Sequence, residues 1–233
     1  MITIFILALN VIRQQRLIVI LMSTWLLFFA GLFSFISDPD NGPQDLEILY
    51  RQELVYGIAI GLFSGASLIH NERKTRRILA VMSKGIHRSQ YLGGALLGVA
   101  GITGIFYALV VVTNEWLIQR LHYAGEAVTP ALLGWVATLV AIALALAFGS
   151  FLPPFFAAAL AALVSGIGML IPVHPLVFPI SYFMRSAFAA TYVHGLRWEH
   201  YAGFLVSVAI ETAIAFTIAV VIFERRDITV PVE

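Results

Sequence analysis

From Ala127 to Met184 the chain runs for 58 residues without an Asp, Glu, Lys or Arg. A water-facing surface cannot be built from such a run, and one membrane crossing needs only about 20 residues. Gly149, Ser150, Pro153 and Pro154 interrupt it near the middle. Two crossings are therefore expected, at 129–149 and 154–172. The whole chain agrees: 60% of its 233 residues are hydrophobic, only 12% are charged, and mean hydropathy is +0.92. Soluble domains carry about 25% charged residues. That excludes a soluble enzyme, and little chain remains for a separate catalytic domain beside the spans.

Other charge-free stretches place spans at 17–37, 54–71 and 91–114, with a last one at 201–223 interrupted by Glu211. The expected fold is an all-α membrane protein of six transmembrane helices in a single domain, 1–233. With the N-terminus in the cytoplasm, inside segments hold ten basic residues (Arg13, Arg16, Arg73, Lys74, Arg76, Arg77, Lys84, Arg88, Arg225 and Arg226). Outside segments hold four, Arg51, Arg120, Arg185 and Arg197, together with an acidic loop from Asp38 to Glu53. The positive-inside rule then puts both termini in the cytoplasm. The order of charges at the start, with Arg13 and Arg16 after an uncharged Met1–Val11, does not suit a cleaved signal, and the segment reads as retained.

Three segments do not span. In 1–16, Asn10, Arg13 and Gln14 form one polar edge on an apolar helix, as an interfacial helix requires. Residues 72–88 make the only long cytoplasmic connection. As a helix they set Ile78, Met82 and Ile86 along one edge, and an apolar edge in water needs covering by lipid headgroups or a partner protein. Residues 173–200 are too broken by proline to span and too aromatic for a wet loop; a re-entrant outer hairpin reconciles the two.

Catalytic signatures are missing. There is no phosphate-loop pattern and no H-E-x-x-H. Gly61-Leu62-Phe63-Ser64-Gly65 resembles a serine turn, but Leu62 stands where glycine is wanted. His194, Glu199 and His200 read as hydrated interfacial side chains, so no metal site is expected. With no cysteine, disulfides, thiolate metal sites and cysteine nucleophiles are excluded, and a net charge of +1 gives no reason to expect nucleic acid. Gly57, Gly61 and Gly65 repeat every four residues, as do Gly94 and Gly98, which lets helices approach closely within one chain or between two. Glu211 is the intramembrane carboxyl, on a stripe of Gly203, Ser207, Ala215 and Ala219. Either it is neutral and packed against another helix or it lines a wet path.

The sequence Glu72-Arg73-Lys74-Thr75-Arg76-Arg77-Ile78-Leu79-Ala80-Val81-Met82-Ser83, followed by Arg88 and Tyr91-Leu92-Gly93, resembles the stretch between the second and third spans of ABC-2 type transporter permeases. The ending Phe223-Glu224-Arg225-Arg226-Asp227-Ile228 is similar to that family's Phe-x-Arg-Arg-Asp-Ile/Leu ending, and the layout of six spans matches. Ser83-Lys84-Gly85 lacks the family's proline, and Gly94 stands where a lysine is frequent, so the substrate is left open. The resemblance implies the membrane subunit of a bacterial inner-membrane exporter for a lipid-like, peptide, drug or glycan molecule. It implies a second permease copy and two separate ATPase subunits. ATP and Mg2+ would bind on those subunits, with no cofactor in this chain. Residues 72–88 would be the coupling helix, with Glu72, Arg73, Arg76, Arg77, Ile78, Met82, Ser83, Ile86 and Arg88 at the ATPase contact. Two other classes fit the composition: a proton-coupled transporter using Glu211, and a membrane scaffold for a cytoplasmic partner.

Overall fold

The computed structural model describes residues 2–36, 42–75, 78, 81, 83, 85–122, 127–170 and 198–225. It has seven helices among the described residues: α1 (Ile2–Gln14), α2 (Arg16–Ile36), α3 (Gly42–Lys74), α4 (Arg88–Leu121), α5 (Val128–Gly149), α6 (Pro154–Leu170) and α7 (Trp198–Arg225). Five contain stretches long and apolar enough to cross a membrane: Arg16–Ile36, Ile48–Lys74, Arg88–Leu121, Val128–Gly149 and Ala202–Arg225. The chain is an all-α, multi-pass membrane protein. The expected span at 154–172 is a 17-residue apolar helix. The expected outer hairpin, 173–200, lies outside the described residues except for the first turn of α7, as do Arg226, Asp227 and Ile228.

The long uncharged run divides where its sequence predicts. The amides of Phe151 and Leu152 fold back onto the carbonyl of Phe148, which closes α5. Pro154 then opens α6 at the helix position where a missing N–H costs nothing. α5 carries no charged residue on any side, which suits a helix that is mostly surrounded by other helices. It forms the centre of the bundle, packed against α3, α4, α6 and α7. Ala137, Ala141, Ile142, Ala145 and Leu146 are fully buried there. α2 and α7 lie at the periphery and bury only 11% and 22% of their apolar windows.

α3 and α4 are much longer than their apolar runs. Their 33 and 34 residues extend roughly 50 Å at 1.5 Å per residue, against about 30 Å of hydrocarbon. Charged Asp45, Arg51 and Glu53, and Glu115 and Arg120 on α4, end the apolar pattern. They do not end the helix, because Glu, Gln, Arg and Leu are good helix formers. α4 stops at His122, whose left-handed φ of 56° lets its amide reach the carbonyl of Ile118.

The two glycine stripes pack within the chain. A Cβ on Gly61 would sit 2.9 Å from Ile142 and Thr138 of α5, and one on Gly65 would sit 3.1 Å from Ala145. Gly57 lies under the Tyr107 ring of α4. On α4, Gly94 and Gly98 meet Leu7 and Val11 of α1, and Gly101 meets Ile12. These contacts advance together along both helices, so α1 runs beside α4 in the same direction, its inner face held by protein. Its other face exposes Phe5, Ile6 and Leu9 beside Asn10 and Arg13.

Candidate functional site at the 72–88 end of the bundle

Segment 72–88 leaves α3 and returns into α4, and both of its roots are tied into the bundle. Glu72 is the last buried side chain of α3, and its Oε2 accepts a hydrogen bond from the Tyr91 hydroxyl at 3.1 Å. Next to it, Arg73 donates from Nη2 to the carbonyl of Ser150 at 3.0 Å. That carbonyl belongs to the C-cap residue of α5. At the other root, Arg88 donates from Nη1 to the carbonyls of Phe223 and Glu224, at 2.9 and 2.8 Å. These belong to the last described turn of α7. Each arginine thus places a cation where a helix C-terminus carries partial negative charge.

Phe223 joins the two roots. It is fully buried, stacks on Tyr91 at 5.8 Å between ring centroids, and has the Arg73 and Arg88 guanidinium carbons 5.9 and 6.0 Å from its centroid. Side chains from α3, α4 and α7, with the end of α5, therefore form one cluster. A displacement of segment 72–88 acts on all four helix ends. The sequence brings Glu72, Arg73 and Arg88 forward as candidates, and the structure places these three together.

The rest of the segment divides differently from the expectation. Ile78 has no exposed surface and belongs to the chain's own core, so it is not part of an open apolar edge. The i, i+4, i+8 spacing marks Ile78 as an apolar position, and that position is packed within the chain's own core. Val81 and Ile86 are half-buried, while Ser83, Gly85 and His87 are exposed at the tip. Arg76, Arg77 and Met82 lie outside the described residues.

A second polar cluster lies toward the opposite end, and sequence reasoning misses it. Glu53 is 2% exposed, and its Oε2 accepts a hydrogen bond at 2.7 Å from Nδ2 of the fully buried Asn114. The Asn114 Oδ1 is buried and makes no hydrogen bond among the described residues. About two turns back along α4, the Tyr107 hydroxyl lies 3.1 Å from Thr138 Oγ1. Because Thr138 gives its own proton to the Gly134 carbonyl, Tyr107 is the donor of that bond. Glu53 is therefore a buried helical residue and not the end of an acidic outer loop. Its register carries the signal: it stands four residues before Gly57, on the same face as Gly61 and Gly65.

Glu211 is half-buried on α7, with Ser207, Ala215 and Ala219 of its stripe buried. The stripe thus faces protein over most of its length, as expected. Gly203 is exposed and has nothing within reach of an added Cβ. Glu211 Oε1 and Thr212 Oγ1 are buried and make no hydrogen bond among the described residues. The described residues contain no group of three His, Asp or Glu side chains able to hold a metal ion.

No protein-family model matches the chain, and neither a curated protein nor a solved structure matches it.

Proposed function

We propose that the chain is the membrane subunit of an ABC-2 type transporter, driven by a separate ATPase that docks on segment 72–88 at the cytoplasmic face. The observation that carries this reading is the cluster around Phe223. A loop that merely reverses the chain needs no attachment to the ends of two other helices. A segment that receives force from a partner does need one, and Arg73 and Arg88 attach this one to α5 and α7. The charged and basic sequence of the segment, and its resemblance to the coupling region of those permeases, support the same reading.

In this mechanism the ATPase closes on ATP and pushes the exposed tip around Ser83–His87. The Glu72–Tyr91 and arginine contacts pass that movement to α4, α5 and α7, and rock one six-span unit against a second copy. The exported substrate is a lipid-like, peptide, drug or glycan molecule, and the membrane is the bacterial inner membrane. Affinity purification from the native host tests the reading. A co-purifying phosphate-loop ATPase, with nucleotide hydrolysis that depends on this chain, is the expected result. A chain that purifies alone and transports on a proton gradient would overturn it. A second reading as a proton-coupled transporter draws on the two intramembrane carboxyls, Glu53 and Glu211.

A further inference from the structure

We propose that Glu53 of α3 and Asn114 of α4 together form a proton-binding site. The Glu53 carboxyl takes up one proton and donates it in a hydrogen bond to Asn114 Oδ1, while Asn114 Nδ2 donates back to Glu53 Oε2. The second of these bonds stands at 2.7 Å. The first gives a donor to an atom that otherwise lacks one. A carboxylate oxygen only accepts, so the contact to Oε2 fixes which end of the amide is Nδ2 and which is the acceptor Oδ1. Asn114 has no exposed surface, and its Oδ1 makes no hydrogen bond among the described residues. Leaving that oxygen dry carries its full desolvation cost.

The hydroxyls nearby are already committed. Tyr107 donates to Thr138, Thr138 to the Gly134 carbonyl, and Thr113 to the carbonyls of Leu109 and Val110. Glu53 is 2% exposed, with Asn114 as its hydrogen-bond partner. Its surroundings offer no counter-charge for a buried carboxylate. α5 and α6, which pack against α3, contain no titratable side chain. α4 contributes Tyr107, Glu115, which accepts from the Ala127 amide, and Arg120, which lies over the Trp116 ring. On α3 itself Tyr50 is buried, and the exposed Arg51 stands two positions away, on the other side of the helix. A hard metal ion would need about six oxygen ligands, more than two side chains supply. A proton needs two. Its loss would strand Asn114 Oδ1, so the bound proton fastens α3 to α4 beside the Gly57–Tyr107 contact. This inference does not rest on the ATPase reading, and its test needs no partner.

Infrared absorption of the purified chain in an ester-free detergent, set against Glu53→Gln, reads the site directly. Gln offers the same donor and acceptor as the acid, so this variant should fold. Glu211 contributes equally to both spectra and cancels. The parent should show a protonated-carboxyl band, worth one carboxyl per chain, that the variant lacks. The band should move down in D2O, fade as the medium is made alkaline and return on acidification. Over the range that bleaches it, the parent should lose Tm relative to Glu53→Gln. Asn114→Leu should shift the band to higher frequency by removing both hydrogen bonds, and Asn114→Ala should do the same if the first variant misfolds. A difference spectrum holding only carboxylate bands at every pH would mean that water or a metal ion serves Oδ1. That result, or a carboxyl band unmoved by the Asn114 changes in folded protein, would overturn the proposal.

Discussion

Removing the Phe223 ring tests the cluster that joins segment 72–88 to the bundle. Phe223 has no exposed surface, so Phe223→Ala leaves a cavity among Tyr91, Arg73 and Arg88. Buried Phe→Ala changes cost about 3–5 kcal/mol. Two guanidinium–ring contacts at about 0.5–2 kcal/mol each are lost within that figure. The surrounding arginines are long and can partly collapse into the space, which favours the low end, about 3 kcal/mol. For a domain of 150–250 residues, 1 kcal/mol moves Tm by about 2–4 °C, so the expected drop is about 6–12 °C. Phe223→Leu keeps apolar volume and loses only the ring contacts, so it should fall between the parent and the Ala variant. Thermal unfolding of the detergent-purified chain measures all three. An Ala variant melting within about 2 °C of the parent would refute the argument that this ring ties the helix ends together.

Four other outcomes follow from the same geometry. Gly98→Leu drives a side chain into Val11, whose Cβ lies 2.6 Å from a Cβ built on Gly98; it should cost about 1–3 kcal/mol and expose Arg13 and Arg16 to limited proteolysis by trypsin. Glu53→Leu strands the buried Asn114 amide and should destabilise by about 1–3 kcal/mol, while Glu53→Gln keeps an acceptor and should lose much less in the same melt. Glu211→Gln should leave assembly and transport near normal; normal assembly with abolished transport would make the carboxyl functional. Reversing the character of the exposed tip with Ser83→Glu and His87→Glu should lower the yield of co-purified ATPase without lowering Tm, because neither side chain is buried.

The spans are legible because lipid demands long uncharged runs and because proline and glycine interrupt them visibly; the break at 149–154 is the clearest case. The glycine stripes are legible as close-packing faces, but not which helices they meet, since that depends on contacts such as Gly98–Val11 between distant parts of the chain. Charge misleads at Asp45 and Glu53. Asp45 lies in an acidic stretch and Glu53 bounds the uncharged run 54–71, yet helix geometry continues through both and buries Glu53 on the glycine face. Periodicity sets Ile78 on an open edge with Met82 and Ile86, whereas Ile78 is packed in the chain's own core. Segment 72–88 stands out in the sequence by its charge, whereas its fastening does not. Arg73–Ser150 and Arg88–Phe223 join residues 77 and 135 positions apart, and no local pattern encodes such pairs.

The central claim is that segment 72–88 meets an ATPase at the cytoplasmic face. The chain has no cysteine, so a single Ser83→Cys gives one thiol at the exposed tip without further engineering. In native membranes, a short bifunctional thiol–amine cross-linker should join that thiol to a phosphate-loop ATPase, and Val112→Cys on the lateral face of α4 should yield no such product. Labelling of the tip thiol by an impermeant reagent in intact cells, or an ATPase that co-purifies but cross-links equally from both positions, would contradict the account.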